Sequence, residues 1–162
     1  MYREIQPKDN AKLADIIRKN LEAYGLNVPG TAYFDPGLDR LSDIYLPGSD
    51  RYYLVLTDDN DEAVGGVGLA GTDLFPECAE LQKLYLIDEM KGKGLGRELV
   101  GRIEQKAAEM GFERMYLETH TCLKEAVNLY KSMGYELIPR PKEVIHSTMN
   151  RFFLKTLVDG NK

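Results

Sequence analysis

Between Leu84 and Met110 the chain passes from a β-prone run, through three glycines at alternate positions, into a helical pattern. Leu84-Tyr85-Leu86 leads to a turn at Asp88-Glu89, and Lys91-Gly92-Lys93-Gly94-Leu95-Gly96-Arg97 follows. Leu95, Leu99, Val100, Ile103, Ala107 and Met110 then recur at helical spacing, and Gly111 is placed to close that helix as its first left-handed residue. A strand, a glycine loop and a helix in that order mark an α/β architecture, because both elements must bury an apolar face against a common layer.

Glycine lets the backbone approach a ligand closely and adopt positive φ. A helix N-terminus offers unpaired N–H groups and the positive end of the helix dipole. Together they make an anion site, most often for phosphate, and Lys91, Lys93 and Arg97 add positive charge to it. A pyrophosphate is therefore expected at Lys91–Arg97. The dinucleotide fingerprint G-x-G-x-x-G fails, since the sixth position is Arg97 counted from Gly92 and Leu99 counted from Gly94. The P-loop fails as well, because Gly92-Lys93 is followed by Gly94 and not by Ser or Thr. Taken alone, the loop is equally compatible with a tight turn.

The remaining pattern, basic-x-x-Gly-x-Gly, resembles the acyl-CoA pyrophosphate loop of the GNAT N-acetyltransferase superfamily, which usually has Arg or Gln where this chain has Lys91. A second stretch, Ala126-Val127-Asn128-Leu129-Tyr130-Lys131-Ser132-Met133-Gly134-Tyr135, is similar to that family's Ala-x-x-Leu-Tyr-x-x-x-Gly-aromatic motif. It stands downstream with room for one helix and one strand between, so two motifs agree in order. The likeness is good from Glu77 to Glu136 and looser in the flanks.

The resemblance implies a mixed, mostly antiparallel sheet with helices on both faces, as a single domain over residues 1–162. The fourth and fifth strands, here Ala79–Leu86 and Phe112–Glu118, would run parallel and splay apart. The pantetheine arm of acetyl-CoA would lie in the wedge against Leu84, Tyr85 and Leu86, and its pyrophosphate on Lys91, Gly92, Lys93, Gly94, Leu95, Gly96 and Arg97. Tyr130 would protonate the departing thiolate, the bland alternative being a core aromatic on the apolar face with Ala126, Leu129 and Met133. Glu80 is the candidate base and Glu118 its rival. Asn128 is a pantetheine candidate, although the family's usual Asn falls three residues before the Ala, where this chain has Leu123. Tyr33, Phe34 and His146 are expected to line the acceptor pocket, with Asp35 and Asp73 as acidic candidates beside them. The implied reaction is direct attack by a small-molecule primary amine on acetyl-CoA in a ternary complex. A peptide or protein amine, or a non-catalytic acyl-CoA-binding role, is the alternative, and a homodimer is compatible with the family.

The rest of the chain narrows the class. Its 162 residues suit one domain, and 43% hydrophobic residues supply a full core. A net charge of −5 argues against nucleic acid and anionic membranes as general partners. The chain lacks an apolar run of about 18 residues and a secretory leader at Met1-Tyr2-Arg3-Glu4. Cys78 and Cys122 make no disulfide framework, and with His120 and His146 they make no zinc pattern, so a metal-free cytosolic enzyme is expected. Asp58-Asp59-Asn60-Asp61 lacks the calcium-loop spacing and reads as a hairpin turn between strands Arg51–Thr57 and Ala63–Leu69. Helices are expected from Asp9 or Asn10 to Tyr24, from Leu38 to Tyr45 and from Lys124 to Met133, a loop over Asn27–Pro36, and final strands at Tyr135–Ile138 and Ser147–Leu157.

Overall fold

Arg51–Thr57 carries apolar side chains on both faces, and this decides the layering. In the computed structural model, which describes residues 1–145 and 147–157, it forms strand β2. Leu54 and Leu56 pack into one core, and Tyr53 and Val55 into another on the opposite face. The other strands are β1 (Tyr2–Glu4), β3 (Ala63–Thr72), β4 (Cys78–Leu86), β5 (Arg114–Thr119), β6 (Glu136–Ile138) and β7 (Arg151–Thr156). They form one sheet in the order β1-β2-β3-β4-β5-β7-β6. Every neighbouring pair is antiparallel except β4 and β5, which run parallel.

Among the described residues four α-helices cover the sheet: α1 (Asn10–Ala23), α2 (Leu41–Ile44), α3 (Leu95–Glu109) and α4 (Lys124–Ser132). Leu99, Val100, Ile103 and Ala107 of α3 and Tyr130 of α4 join the core of Leu54, Leu56, Val67 and Leu69. Leu13, Ile17 and Leu21 of α1 and Leu41 of α2 join Tyr53 and Val55 on the other side. Helices thus lie on both faces of a mixed, mostly antiparallel sheet. No helix among the described residues is long and apolar enough to cross a membrane.

The three longer helices end in the same way. Gly25, Gly111 and Gly134 take positive φ just past α1, α3 and α4. The next amide then bonds back to the last turn, from Leu26 to the Leu21 carbonyl (2.8 Å), from Phe112 to Ala107 (3.0 Å) and from Tyr135 to Tyr130 (3.0 Å). α1 starts at Asn10, one of the two expected positions. Asp9 precedes the helix but makes no side-chain cap. Its buried carboxylate instead accepts from the Arg3 guanidinium (2.8 and 2.9 Å) and the Gln6 amide (2.8 Å). The last strand begins at Arg151, not Ser147, because Ser147 Oγ accepts from the Met149 amide and Asn150 Oδ1 from the Thr121 amide. Such local side-chain bonds compete with a strand ladder.

Candidate active site

The site starts from an irregularity in β4. Apolar side chains on the α3 face fall at Ala79 and Leu81, then at Leu84 and Leu86. The parity changes because Lys83 takes φ of +52°, and the β3–β4 register slips between Gly66 and Gly68. This is a β-bulge, with one extra β4 residue opposite Val67. The Tyr53 hydroxyl donates to the Lys83 carbonyl (2.8 Å) and satisfies the bulge. Gly66 makes room for that tyrosine, since a Cβ there would come within 2.5 Å of the Tyr53 ring.

Past the bulge, β4 loses its parallel neighbour. Only Cys78, Ala79 and Glu80 pair with β5, opposite Arg114, Met115 and Tyr116. β5 stays bonded to β7 out to Thr119, while β4 follows β3. The edge of β4 from Leu81 onward therefore opens a gap.

Two cavities meet in the gap. The first, about 190 Å³, lies among Leu84, Tyr85 and Leu86 of β4, Lys91, Gly92 and Gly96 of the glycine loop, Leu123, Glu125, Ala126 and Leu129 at α4, Asn20 of α1 and Tyr24 just past it. Asn20, which the sequence did not single out, donates to the Leu86 carbonyl (3.0 Å) and the Ile16 carbonyl (2.9 Å), tying α1 to the end of β4. Gly92 and Gly94 both take positive φ, +77° and +79°, and Gly94 is the N-cap of α3. The first-turn amides of α3 have no carbonyl of their own helix to reach. A Cβ on Gly96 would touch Leu129 at 3.4 Å, so this glycine brings α3 close to α4. Lys91 pairs with Asp88 (2.9 Å), Arg97 donates to Ser132 Oγ (2.6 Å), and Lys93 is exposed.

The second cavity, about 260 Å³, is polar and lies among Glu80, Gln82, Lys83, Glu118, Ser147 and Asp35. Leu21 and Tyr85 line both cavities, so the two are neighbours. Glu80 and Glu118 come to the same place because both alternate with residues of the α3-side core, Ala79, Leu81 and Leu117, and so lie on the opposite face of neighbouring strands. Burial first, and then the charge of Glu118, push the Glu80 carboxyl up to about 7. Gln82 pulls the other way, donating from Nε2 to Glu80 Oε1 (3.3 Å) while the Tyr45 hydroxyl donates to its Oε1 (2.6 Å). Glu118 accepts from the Tyr116 hydroxyl (2.9 Å) and from Ser147 Oγ (2.8 Å).

The other anticipated residues distribute as follows. Tyr130 is 6% exposed and packs edge-on against Tyr135, ring centres 5.7 Å apart. Burial first, with Tyr85 second, raises its phenol well above the usual range, and its hydroxyl has no hydrogen-bond partner among the described residues. Asn128 is exposed and lines neither cavity, whereas Ala126 and Leu129 of the same helix line the first. Tyr33 donates to Glu22 Oε2 (2.6 Å), and Phe34 is 57% exposed; their neighbours Ala32 and Asp35 line the polar cavity in their place. Asp73 borders a separate hollow with Asp50 and Glu77. The His120 ring accepts the Cys122 amide through Nδ1 (3.1 Å), a local turn contact. His146 lies outside the described residues. Gln82, Lys83 and Ser147 were not anticipated.

The chain matches the family model described as the acetyltransferase (GNAT) family over residues 16–135. It is 39% identical over 140 residues to the uncharacterized N-acetyltransferase YjgM of Escherichia coli (strain K12), covering 85% of this chain and 83% of that one. It is 30% identical over 115 residues to human N-acetyltransferase 8B, and the match spans 67% of this chain but half of the human protein. Among solved structures it resembles a GNAT-family acetyltransferase from Staphylococcus aureus Mu50, with a TM-score of 0.84, 19% identity and coverage of 98% and 99%. It also resembles a phosphinothricin acetyltransferase from Sinorhizobium meliloti in complex with acetyl-CoA, with a TM-score of 0.76, 19% identity and coverage of 99% and 89%.

Proposed function

The chain belongs to the GNAT family of acetyltransferases, and from that premise we propose that it transfers an acetyl group from acetyl-CoA to a primary amine of a small molecule by direct attack. The observation that carries this reading is the pair of neighbouring cavities that share Tyr85 and Leu21 as lining residues, one apolar and beside a glycine loop, the other polar and carboxylate-lined. The donor set suits coenzyme A. A left-handed glycine loop feeding a helix N-terminus suits its pyrophosphate. The edge of β4 at Leu84–Leu86, which has no strand beside it although Asn20 takes the Leu86 carbonyl, suits a pantetheine arm that bonds like an added strand. Solved relatives of this fold were crystallised with acetyl-CoA or coenzyme A, which supports the same donor here.

In this reading the amine nitrogen forms the new C–N bond and the thioester C–S bond breaks. The amine's proton passes to the Glu80 carboxylate through water, and the departing sulfur takes the Tyr130 proton. Across a panel of amines, thiol release from acetyl-CoA should appear with an acetylated amine of matching mass. Release only with peptide amines would redirect the reading to a protein or peptide acceptor. Tight coenzyme A binding without turnover of any amine would make the chain a binding domain.

The same reading makes Gly94 intolerant of a side chain. A Cβ there meets nothing within 4 Å, so the obstacle is the backbone, at φ of +79°. Valine strongly avoids that region, at a cost of about 1–2 kcal/mol. Gly94→Val is therefore expected to turn the loop amides and raise the Kd for coenzyme A at least about tenfold. Unchanged affinity by calorimetry in a folded variant would contradict the assignment.

A further inference from the structure

The polar cavity is lined by three carboxylates, and they are not equivalent. Glu80 and Glu118 are held by neutral donors, Gln82 for the first and Tyr116 and Ser147 for the second. Asp35 instead places Oδ2 2.9 Å from Nζ of Lys83, the one cation among the described residues lining this cavity. The Lys83 side chain is only 15% exposed and springs from the bulge, which limits where its ammonium can go; that of Asp35 is 42% exposed. Asp35, Gln82 and Lys83 also border an adjoining hollow that holds Arg51. Asp35 thus touches the cation of the cavity and the space beside the next one.

The consequence is a cavity lined by two carboxylates without an ion-pair partner and by no cation besides Lys83 among the described residues, Arg51 lining only the adjoining hollow. A carboxylate carried by the acceptor would meet like charge there and find no partner. A second ammonium would find Glu118, with Glu80 left to the reacting amine. At short range in a partly desolvated pocket such differences weigh heavily in discrimination between otherwise similar ligands. Resting on the amine-acetyltransferase reading above, we propose that the acceptor is an aliphatic diamine or comparable dication lacking a carboxylate, and that Asp35 sets this choice by cancelling Lys83. Asp35 acts here as a specificity residue and has no part in the bond-making step.

The pair 1,5-diaminopentane and L-lysine differs only by the α-carboxylate and isolates the point. With acetyl-CoA as donor, kcat/KM in the wild-type chain should favour the diamine by at least about tenfold. Asp35→Asn uncovers Lys83 and should cut that preference at least about tenfold, in part through a gain with L-lysine. Lys83→Met uncovers Asp35 and should move the preference the other way. A wild-type preference for L-lysine overturns the inference, and so does a ratio unchanged in Asp35→Asn. If Asp35→Asn does not fold, Lys83→Met decides alone, and a preference for the diamine that fails to rise overturns it. Binding of acetyl-CoA without acetylation of any amine removes the acetyltransferase reading itself. Turnover with the wrong preference leaves that reading standing and removes only this inference.

Discussion

Tyr130→Phe is expected to lower turnover with acetyl-CoA by about 10² or more, the usual weight of a positioned general acid. The phenol is the only proton this side chain can give, and burial keeps it on the oxygen at neutral pH. A thiol leaving in the same buried surroundings would have its own pKa raised as well, so the raised phenol does not by itself make the proposed transfer uphill. Phenylalanine keeps the packing on Tyr135 and Phe153. The lost hydroxyl has no protein partner among the described residues, so stability should change by less than about 1 kcal/mol. The deficit should shrink with an acyl donor whose thiol has a lower pKa, because that thiolate needs less help to leave. Full turnover in the variant at saturating acceptor, with chemistry rate-limiting, would reduce Tyr130 to a core aromatic.

Glu80→Gln is expected to act on rate and stability in opposite directions. The carboxyl is pushed up to about 7 from an ordinary 4.5. As a base it works only when ionised, so the wild-type rate should rise through that pH beyond the rise that deprotonation of the amine gives both proteins, and the variant should lack that extra rise. The gap between them should widen from about pH 6 to about pH 8. For stability the sign reverses. Between 4.5 and about 7 the folded chain holds a proton that the unfolded chain has released, so stability falls as pH rises through this window. Above it the full cost of a buried carboxylate is present, and Gln removes it. Glu80→Gln should therefore be more stable than wild type at about pH 8, by up to about 3 kcal/mol, and little different below pH 4.5. Thermal or urea unfolding at the two pH values checks it. A variant with the wild-type pH–rate profile would take Glu80 out of the chemistry and leave Glu118 or ordered water as base.

What was legible in the sequence was local. The glycine loop, the Leu-Tyr helix and the glycines that close α1, α3 and α4 are short-range patterns, and the structure places each where the spacing predicts. The bulge also left a trace, because the apolar positions shift from odd at Ala79 and Leu81 to even at Leu84 and Leu86. A strand cannot change parity without an extra residue. The missed features are those that only tertiary placement decides. Tyr33 and Phe34 read as pocket aromatics because nothing in the sequence tells that one bonds to Glu22 and the other faces solvent. Gln82 and Ser147 look like ordinary polar residues until β4, β5 and the turn before β7 bring them beside two glutamates. Asn128 shares a helix with Ala126 and Leu129, but the helical repeat turns it outward.

Mass spectrometry of the chain incubated with acetyl-CoA, sampled before and after addition of an amine that it turns over, tests most directly whether the two neighbouring cavities bring donor and acceptor together for a single transfer. Before the amine is added, no acetyl group should be found on the chain. Afterwards, free coenzyme A and N-acetylated amine should accumulate in equal amounts. An acetylated chain that forms with acetyl-CoA alone and is discharged by the amine, or coenzyme A released without any acetylated amine, would contradict the account.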